Sequence, residues 1–416
     1  MNSKITVTNT TMPHRLGHGG VCVTSSDGRP LPGVEVEVAQ VSHDFWFGNL
    51  LFDFIDYANG TSDDPDRDSA EFEKWMALYN FGTLPFYWRT FEPSPGDPVT
   101  PAMLSAARHF VDFGILLKGH PLAWHTLCPR WLLGRSLEEV EVTLRERIIR
   151  EAGQFAGVVD MLDAINELVI MPVFTAEDNA ITPLCRHLGR MAMGRLVFAT
   201  ARAANPAATL LINDFDLSTA YECLIEGLLE AGVGIDAIGL QTHMHQGYRG
   251  AEEIASIIDR FARFGLPLHF TEASLVSGHL MPPEIVDLND YQVEHWPSTP
   301  EGEARQAAEM VDFYQTVMTH PSVVAITYWG LSDRGAWLGA PIGLLRADGT
   351  PKPSYDALHG LIKGDWWVPP TKAVTDENGQ VEITGFKGTY EASLAGEEPT
   401  EFHLGEEPTG CRLLAT

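Results

Sequence analysis

The chain has 416 residues, 56 acidic against 28 basic, and a net charge of -28 at neutral pH. That balance argues against nucleic acid and anionic membranes as partners, because both are gripped through basic surfaces, while a neutral sugar suits it. The length gives room for a large core, such as one barrel of about 250 residues or more plus a small module.

No run of about 18 apolar residues occurs, and the opening Met1-Asn2-Ser3-Lys4-Ile5-Thr6-Val7-Thr8 has no apolar stretch after its lysine, so neither a membrane span nor a secretion signal is read and a cytosolic chain is expected. Five scattered cysteines, Cys22, Cys128, Cys185, Cys223 and Cys411, suit reduced thiols better than a disulfide frame or a zinc site.

In chain order the first material is β-type. Gly20–Thr24 and Val34–Val38 alternate with period two around the turn Ser26-Asp27-Gly28-Arg29-Pro30, which predicts a hairpin. The far end mirrors it with Asp376–Thr384, Tyr390–Leu394 and Glu401–Leu404. Isolated hairpins are marginal, so residues 1–44 and 363–416 are expected to build one accessory β-sandwich, the alternative being two ribbons packed separately on the barrel. Trp366 and Trp367 at the junction are expected to pack against the barrel, and no stripe of aromatics marks the module as a sugar binder.

Between these ends, residues 45–362 alternate strand and helix patterns. The strands read are Phe45–Phe52, Tyr79–Tyr87, Ile115–His120, Val158–Glu167, Thr209–Asp214, Ala237–His243, Leu268–Glu272 and Val323–Gly330. Helix ends are marked by Thr100-Pro101 with Gly114, by Ser136 with Glu139 as a capping box, and by Thr299-Pro300. Eight alternations predict a (β/α)8 TIM barrel with its site at the C-terminal strand ends. A doubly wound open sheet is the alternative, but no Gly-rich phosphate loop is present.

The strand ends carry the chemistry. The fourth strand is apolar and then delivers Asn166-Glu167, where a carboxylate is either catalytic or a cap on the following helix. The seventh, Leu268-His269-Phe270-Thr271-Glu272, also ends in glutamate, three βα units later at roughly 35 residues each. Two carboxylates opening on one face are what glycoside hydrolysis needs, and in a retaining enzyme they stand about 5–5.5 Å apart. Further polar and aromatic groups end other strands: Gly119–His125, Asn213-Asp214, Gln241-Thr242-His243 and Trp329–Asp333.

Gly119-His120-Pro121-Leu122-Ala123-Trp124-His125, Asp163-Ala164-Ile165-Asn166-Glu167, Ile212-Asn213-Asp214, Ile238–His243, Thr271-Glu272 and Thr327–Asp333, with the closing Gly343-Leu344-Leu345 and Pro351–Leu358, resemble glycoside hydrolase family 10, the xylanase family, over roughly residues 45–362. The resemblance implies a retaining β-glycosidase cleaving β-1,4-xylosidic linkages in xylan or xylo-oligosaccharides. Glu167 would be its acid/base and Glu272 its nucleophile. Glu167 should then have a pKa raised by burial and by Glu272, while His243 and Asn166 would hold the ionised Glu272 and the sugar 2-hydroxyl. His120, Trp124, Gln241, Trp329 and Trp337 are carried over as substrate-binding, flat rings suiting pyranose faces; Trp88 is read as packing.

Two departures qualify this. The family segment Glu-Asn-Glu-Met-Lys-Trp, which holds the next sugar, is here Thr83-Leu84-Pro85-Phe86-Tyr87-Trp88, and Thr-Glu-Leu-Asp is here Thr271-Glu272-Ala273-Ser274. A long insertion, Leu275 to Thr299, follows and is read either as shaping one end of the cleft or as a passive excursion.

No cofactor and no metal are expected. The set His243, His245, His120, His125 and Asp333 could suggest a metallohydrolase, but such barrels want a His-x-His on strand one, where this chain has Phe47-Gly48-Asn49. Two other functions stay open: the same retaining chemistry on another β-linked glycan or glycoconjugate, with transfer to an acceptor possible, and a non-catalytic carbohydrate-binding barrel. The expected partner is an oligosaccharide or polysaccharide; the glycan, endo or exo action and the oligomeric state are left open.

Overall fold

The computed structural model describes residues 2–415; Met1 and Thr416, the outermost residues of the two terminal segments, lie outside the described residues. The chain starts with β1 (Lys4–Thr6), β2 (Leu16–Ser25) and β3 (Glu35–Gln40). The barrel strands follow: β4 (Trp46–Leu50), β5 (Phe81–Pro85), β6 (Leu116–His120), β7 (Met161–Asn166), β8 (Thr209–Asp214), β9 (Ala237–Met244), β10 (Leu268–Leu275) and β11 (Val323–Tyr328). The last strands are β12 (Thr371–Val374), β13 (Gln380–Phe386), β14 (Gly388–Leu394), β15 (Thr400–Leu404) and β16 (Thr409–Ala415).

Strands β4 to β11 are parallel and close into a (β/α)8 barrel, the seam being Ala325–Tyr328 of β11 against Trp46–Asn49 of β4. The helices between them end where the sequence marks them. Thr299 caps Pro300–Met318 by accepting from Gly302 N, Ser136 and Glu139 form the reciprocal capping box of Leu137–Gln154, and Gly114 takes the left-handed conformation just past Thr100–Asp112. Among the described residues no helix is long and apolar enough to cross a membrane.

Inside the barrel the period-two rule sets the layers. Phe81, Met161, Leu211 and Ala237, with Trp46, form an apolar plug at the base. Two residues further along the same strands stand Thr83, Asp163 and Asn213, with Gly239 leaving room for the Asn213 amide, so the polar layer begins directly above the plug. Burying each large apolar side chain of the plug and of the helix-facing core contributes about 1.5–3 kcal/mol. That stable base is what holds the polar layer in place.

The terminal strands form one sandwich from both chain ends. One sheet runs β1-β13-β2-β16 and the other β12-β3-β14-β15, with Val21, Val23, Val36, Val38, Val381 and Tyr390 buried between them. The predicted hairpin is not formed: β2 and β3 lie in opposite sheets, and the pairing beside β2 stops at Pro30 and Leu31, ahead of β3. The Ser25–Arg29 turn closes locally, Ser25 N donating to Arg29 O, and the chain then crosses over because β2 finds its partners in the C-terminal segment. Trp366 packs flat against Phe47 in the barrel core, 6.0 Å between centroids, while half-buried Trp367 meets His43 and Lys363.

Candidate active site

Glu167 directly follows β7 and Glu272 lies on β10, the fourth and seventh strands of the barrel, so both open on its C-terminal face. Each strand loses register just before its glutamate, between Asp163 and Ile165 on β7 and after Phe270 on β10. Such irregularities bend a strand and re-aim the next side chain. Glu167 also sits at φ 57, a left-handed conformation that costs a non-glycine residue about 1–3 kcal/mol and is held only by its surroundings.

Both carboxylates are nearly closed off from solvent, at 12% and 7% side-chain exposure, yet their partners differ. Glu167 accepts from Trp124 Nε1 at 2.8 Å and from Asn166 Nδ2 at 3.1 Å, with no full cation beside it. His125 Nε2 lies 3.7 Å away, but burial lowers that imidazole to about 3 and it is neutral. Burial pushes the Glu167 carboxyl up to about 8, the Trp124 hydrogen bond opposes this, and the negative charge of Asp214 and then Glu272 adds to it.

Glu272 shows the opposite balance. Burial alone would raise it, but His120, His243 and Lys118 outweigh that and hold it below the usual carboxylate range. Asn213 Nδ2 donates to Oε1 at 2.9 Å, His243 Nε2 lies 3.1 Å from Oε2, and His120 Nε2 is 3.7 Å from Oε1. His243 is fixed from behind by Ser274 Oγ at 3.0 Å from Nδ1. His120 is fixed by Asp163, whose Oδ2 stands 2.7 Å from both His120 Nδ1 and Lys118 Nζ. Lys118 and Asp163 are completely buried, a pair that would be costly unless paired as it is here.

Two amides join the halves. Asn213 Nδ2 donates to Asn166 Oδ1 at 2.9 Å as well as to Glu272, and Gln241 Nε2 donates to the same Asn166 oxygen at 2.9 Å. Asn166 therefore faces Glu167, and the amide donor on Glu272 is Asn213, a motif residue to which the sequence reading assigns no role. Its signals in the sequence are the Asn213-Asp214 strand end and its place in the family-like Ile212-Asn213-Asp214. Asp214 is itself raised to about 7 by burial, with Val169 N and Asp216 N donating to it.

Aromatic rings bound the cleft. Trp329 stands edge-on to His120 and His243 at 5.3 and 6.1 Å between centroids, and Trp337 lies 4.8 Å from His243. Tyr87 packs against His120 and Trp124 at 5.6 and 5.7 Å, and Phe52 bridges Tyr87 to Trp329. Thr83 and Leu84 are fully buried. Trp88 is a packing residue, its Nε1 on Glu92 and the Arg147 guanidinium over its ring. Among the described residues no group of three or more His, Cys, Asp or Glu is placed to hold a metal ion; Asp333 is taken up by Lys352 at 2.7 Å.

The model of glycosyl hydrolase family 10 matches residues 99–360. The endo-1,4-beta-xylanase B of Thermotoga neapolitana is 28% identical over 280 residues, which cover 62% of this chain and 73% of that one. The anti-sigma-I factor RsgI6 of Acetivibrio thermocellus is 24% identical over 387 residues, 89% of this chain but only 44% of that protein. That span exceeds the barrel and takes in part of the sandwich. Among solved structures, xylanase 10B from Thermotoga petrophila in complex with xylobiose superposes with a TM-score of 0.61 at 22% identity, covering 77% of this chain and 94% of the other, a likeness of fold. With the family model covering more than half of its length and the two glutamates just after the barrel's fourth strand and on its seventh, the chain belongs to glycosyl hydrolase family 10.

Proposed function

We propose that the protein is a retaining β-glycoside hydrolase that cleaves β-1,4-xylosidic linkages in xylan or xylo-oligosaccharides by double displacement. One observation carries this: two carboxylates on one barrel face, in a family 10 chain, with their pKa values pushed apart by their surroundings.

Glu272, ionised, attacks the anomeric carbon while Glu167, protonated, gives its proton to the departing glycosidic oxygen. The bond to the leaving sugar breaks and a glycosyl ester forms on Glu272. Esterification removes the negative charge that helps hold Glu167 protonated, so its pKa falls and it takes a proton from water. That water attacks the anomeric carbon, the bond to the Glu272 oxygen breaks, and Glu272 leaves as the carboxylate. His120, Trp124, Gln241, Trp329 and Trp337 bind the sugar at the point of cleavage, the rings on its apolar face and the polar groups on its hydroxyls. Asn166 and His243 orient the two carboxylates.

The substrate is tested by hydrolysis of aryl β-xylobioside, aryl β-xyloside, aryl β-glucoside, aryl β-cellobioside and xylan, with Glu272→Ala as control. Turnover of xylobioside and xylan is expected. The fully buried Thr83 and Leu84, and Tyr87 in place of the family lysine, favour a second reading, the same mechanism on another β-linked glycan. Turnover confined to non-xylose glycosides would establish that one and refute the first.

A further inference from the structure

We infer that the segment after β10 is a fixed buttress that sets Trp337 and, through His243, the attacking carboxylate Glu272, with Trp296 as its positioning residue. The buried apolar side chains of the segment face one neighbour, while Leu280, Val286 and Val293 stay exposed. Val276, Met281 and Trp296 form a small core with Ala340 and Ile342, which belong to the loop that carries Trp337.

Polar ties strap it down on two sides. Ser277 N donates to Pro341 O at 2.8 Å, on the Trp337 loop. Met281 N donates to His245 O at 2.9 Å, and the Gln246 amide donates to Pro282 O and Ile285 O at 2.8 Å each, at the exit of β9. A lid that swings open would break these bonds and wet Trp296, whose ring is buried and whose Nε1 is already spent on His279 O. The segment is therefore part of the rigid site.

A chain of rings runs from this core to the chemistry. Trp296 lies 6.1 Å from His245, His245 is 5.2 Å from Trp337, and Trp337 is 4.8 Å from His243, whose Nε2 holds Glu272. His245 is completely buried and, among the described residues, neither ring nitrogen has a hydrogen-bond partner, so it serves as a packed spacer between two indoles. The Trp337 loop also needs outside support. Leu338 is held at φ 62, a conformation a leucine keeps only where its surroundings over-determine it.

The test counts active sites with a 2-deoxy-2-fluoro aryl glycoside that traps the glycosyl ester on Glu272, and then compares kcat per labelled site on an aryl glycoside the native enzyme turns over. In Trp296→Ala, kcat per site is expected to fall about ten- to a hundredfold, with KM changed much less and the trapping rate falling in parallel. Trp296→Phe is expected to recover most of the loss. A merely structural role would lower the number of labelled sites and leave the rate per site alone, and that result overturns the proposal. If Trp296→Ala does not fold, Tyr291→Ala removes the ring 4.8 Å from Trp296 on its outer side, and an unchanged rate per site there overturns it equally. The inference rests on the retaining reading: a native enzyme inert on every glycoside ends that reading, whereas an active native enzyme with an indifferent Trp296→Ala ends only the buttress.

Discussion

Glu167 and Glu272 are the same side chain, both nearly closed off from solvent, on the same face of one barrel, yet one is held protonated and the other ionised. The first faces an indole, an amide, a neutral imidazole and the acidic Asp214. The second faces two imidazoles and an amide, with Lys118 behind them. The difference teaches that burial pushes both carboxyls upward, and that the sign of the result is decided by the groups in contact: His120 and His243, with Lys118 behind, overcome that push at Glu272, while the Trp124 hydrogen bond does not overcome it at Glu167, where Asp214 adds to it.

The sharpest way to break this comparison is to remove each carboxylate. Glu272→Ala is expected to lower kcat by about 10⁴-fold or more, because no other group here can form the ester. Azide should restore turnover and give the glycosyl azide of inverted configuration; native rates in the variant would remove Glu272 from the mechanism. Glu167→Ala should cost about 10²–10⁴-fold on natural glycosides and far less on aryl glycosides with good leaving groups, which need no acid. Equal losses on both substrates would rule Glu167 out as the proton donor.

The pH profile of the free enzyme tests the same difference without mutation. With Glu167 titrating at about 8, kcat/KM should fall on the basic side through that pH, and the limb should vanish in Glu167→Ala assayed on an activated glycoside. A basic limb that survives in the variant belongs to another group. Next in size, Asn213→Ala removes the donor shared by Glu272 and Asn166 and should lower kcat by about tenfold, with the protein still folded by circular dichroism.

Much of this was legible in the chain because it is local. Strands β4 to β11 each carry a short apolar run between turn signals, and Glu167 and Glu272 stand at the ends of two of them. What was missed depends on pairing across distance. Asn213 reaches Glu272 from a strand two places away in the barrel, and nothing beside it in sequence names that partner. Strands β1, β12 and β16 went unread, and the β2–β3 hairpin was misread, for a related reason: β1 and β16 pair in parallel with distant segments, so no turn announces them, while the Asp27-Gly28 turn announces a hairpin whose strands have stronger partners in the other chain end.

The smallest expected effect is the one that states the comparison most directly, since it asks for opposite signs from two like substitutions. Glu167 binds its proton more tightly folded than unfolded, so stability falls as pH rises from about 4.5, the unfolded value, through about 8. Glu167→Gln removes that cost and should raise stability at pH 8 by on the order of 1–3 kcal/mol, with the gain vanishing near pH 4. Glu272 is held below its unfolded value, so its charge contributes stability at neutral pH that is lost as pH falls through the folded value. Glu272→Gln should therefore lower the melting temperature at pH 8, and the deficit should shrink toward acid. Melting curves of the three proteins across that range decide it, and a shift of the same sign in both variants at pH 8 would mean that the surroundings do not separate the two carboxylates.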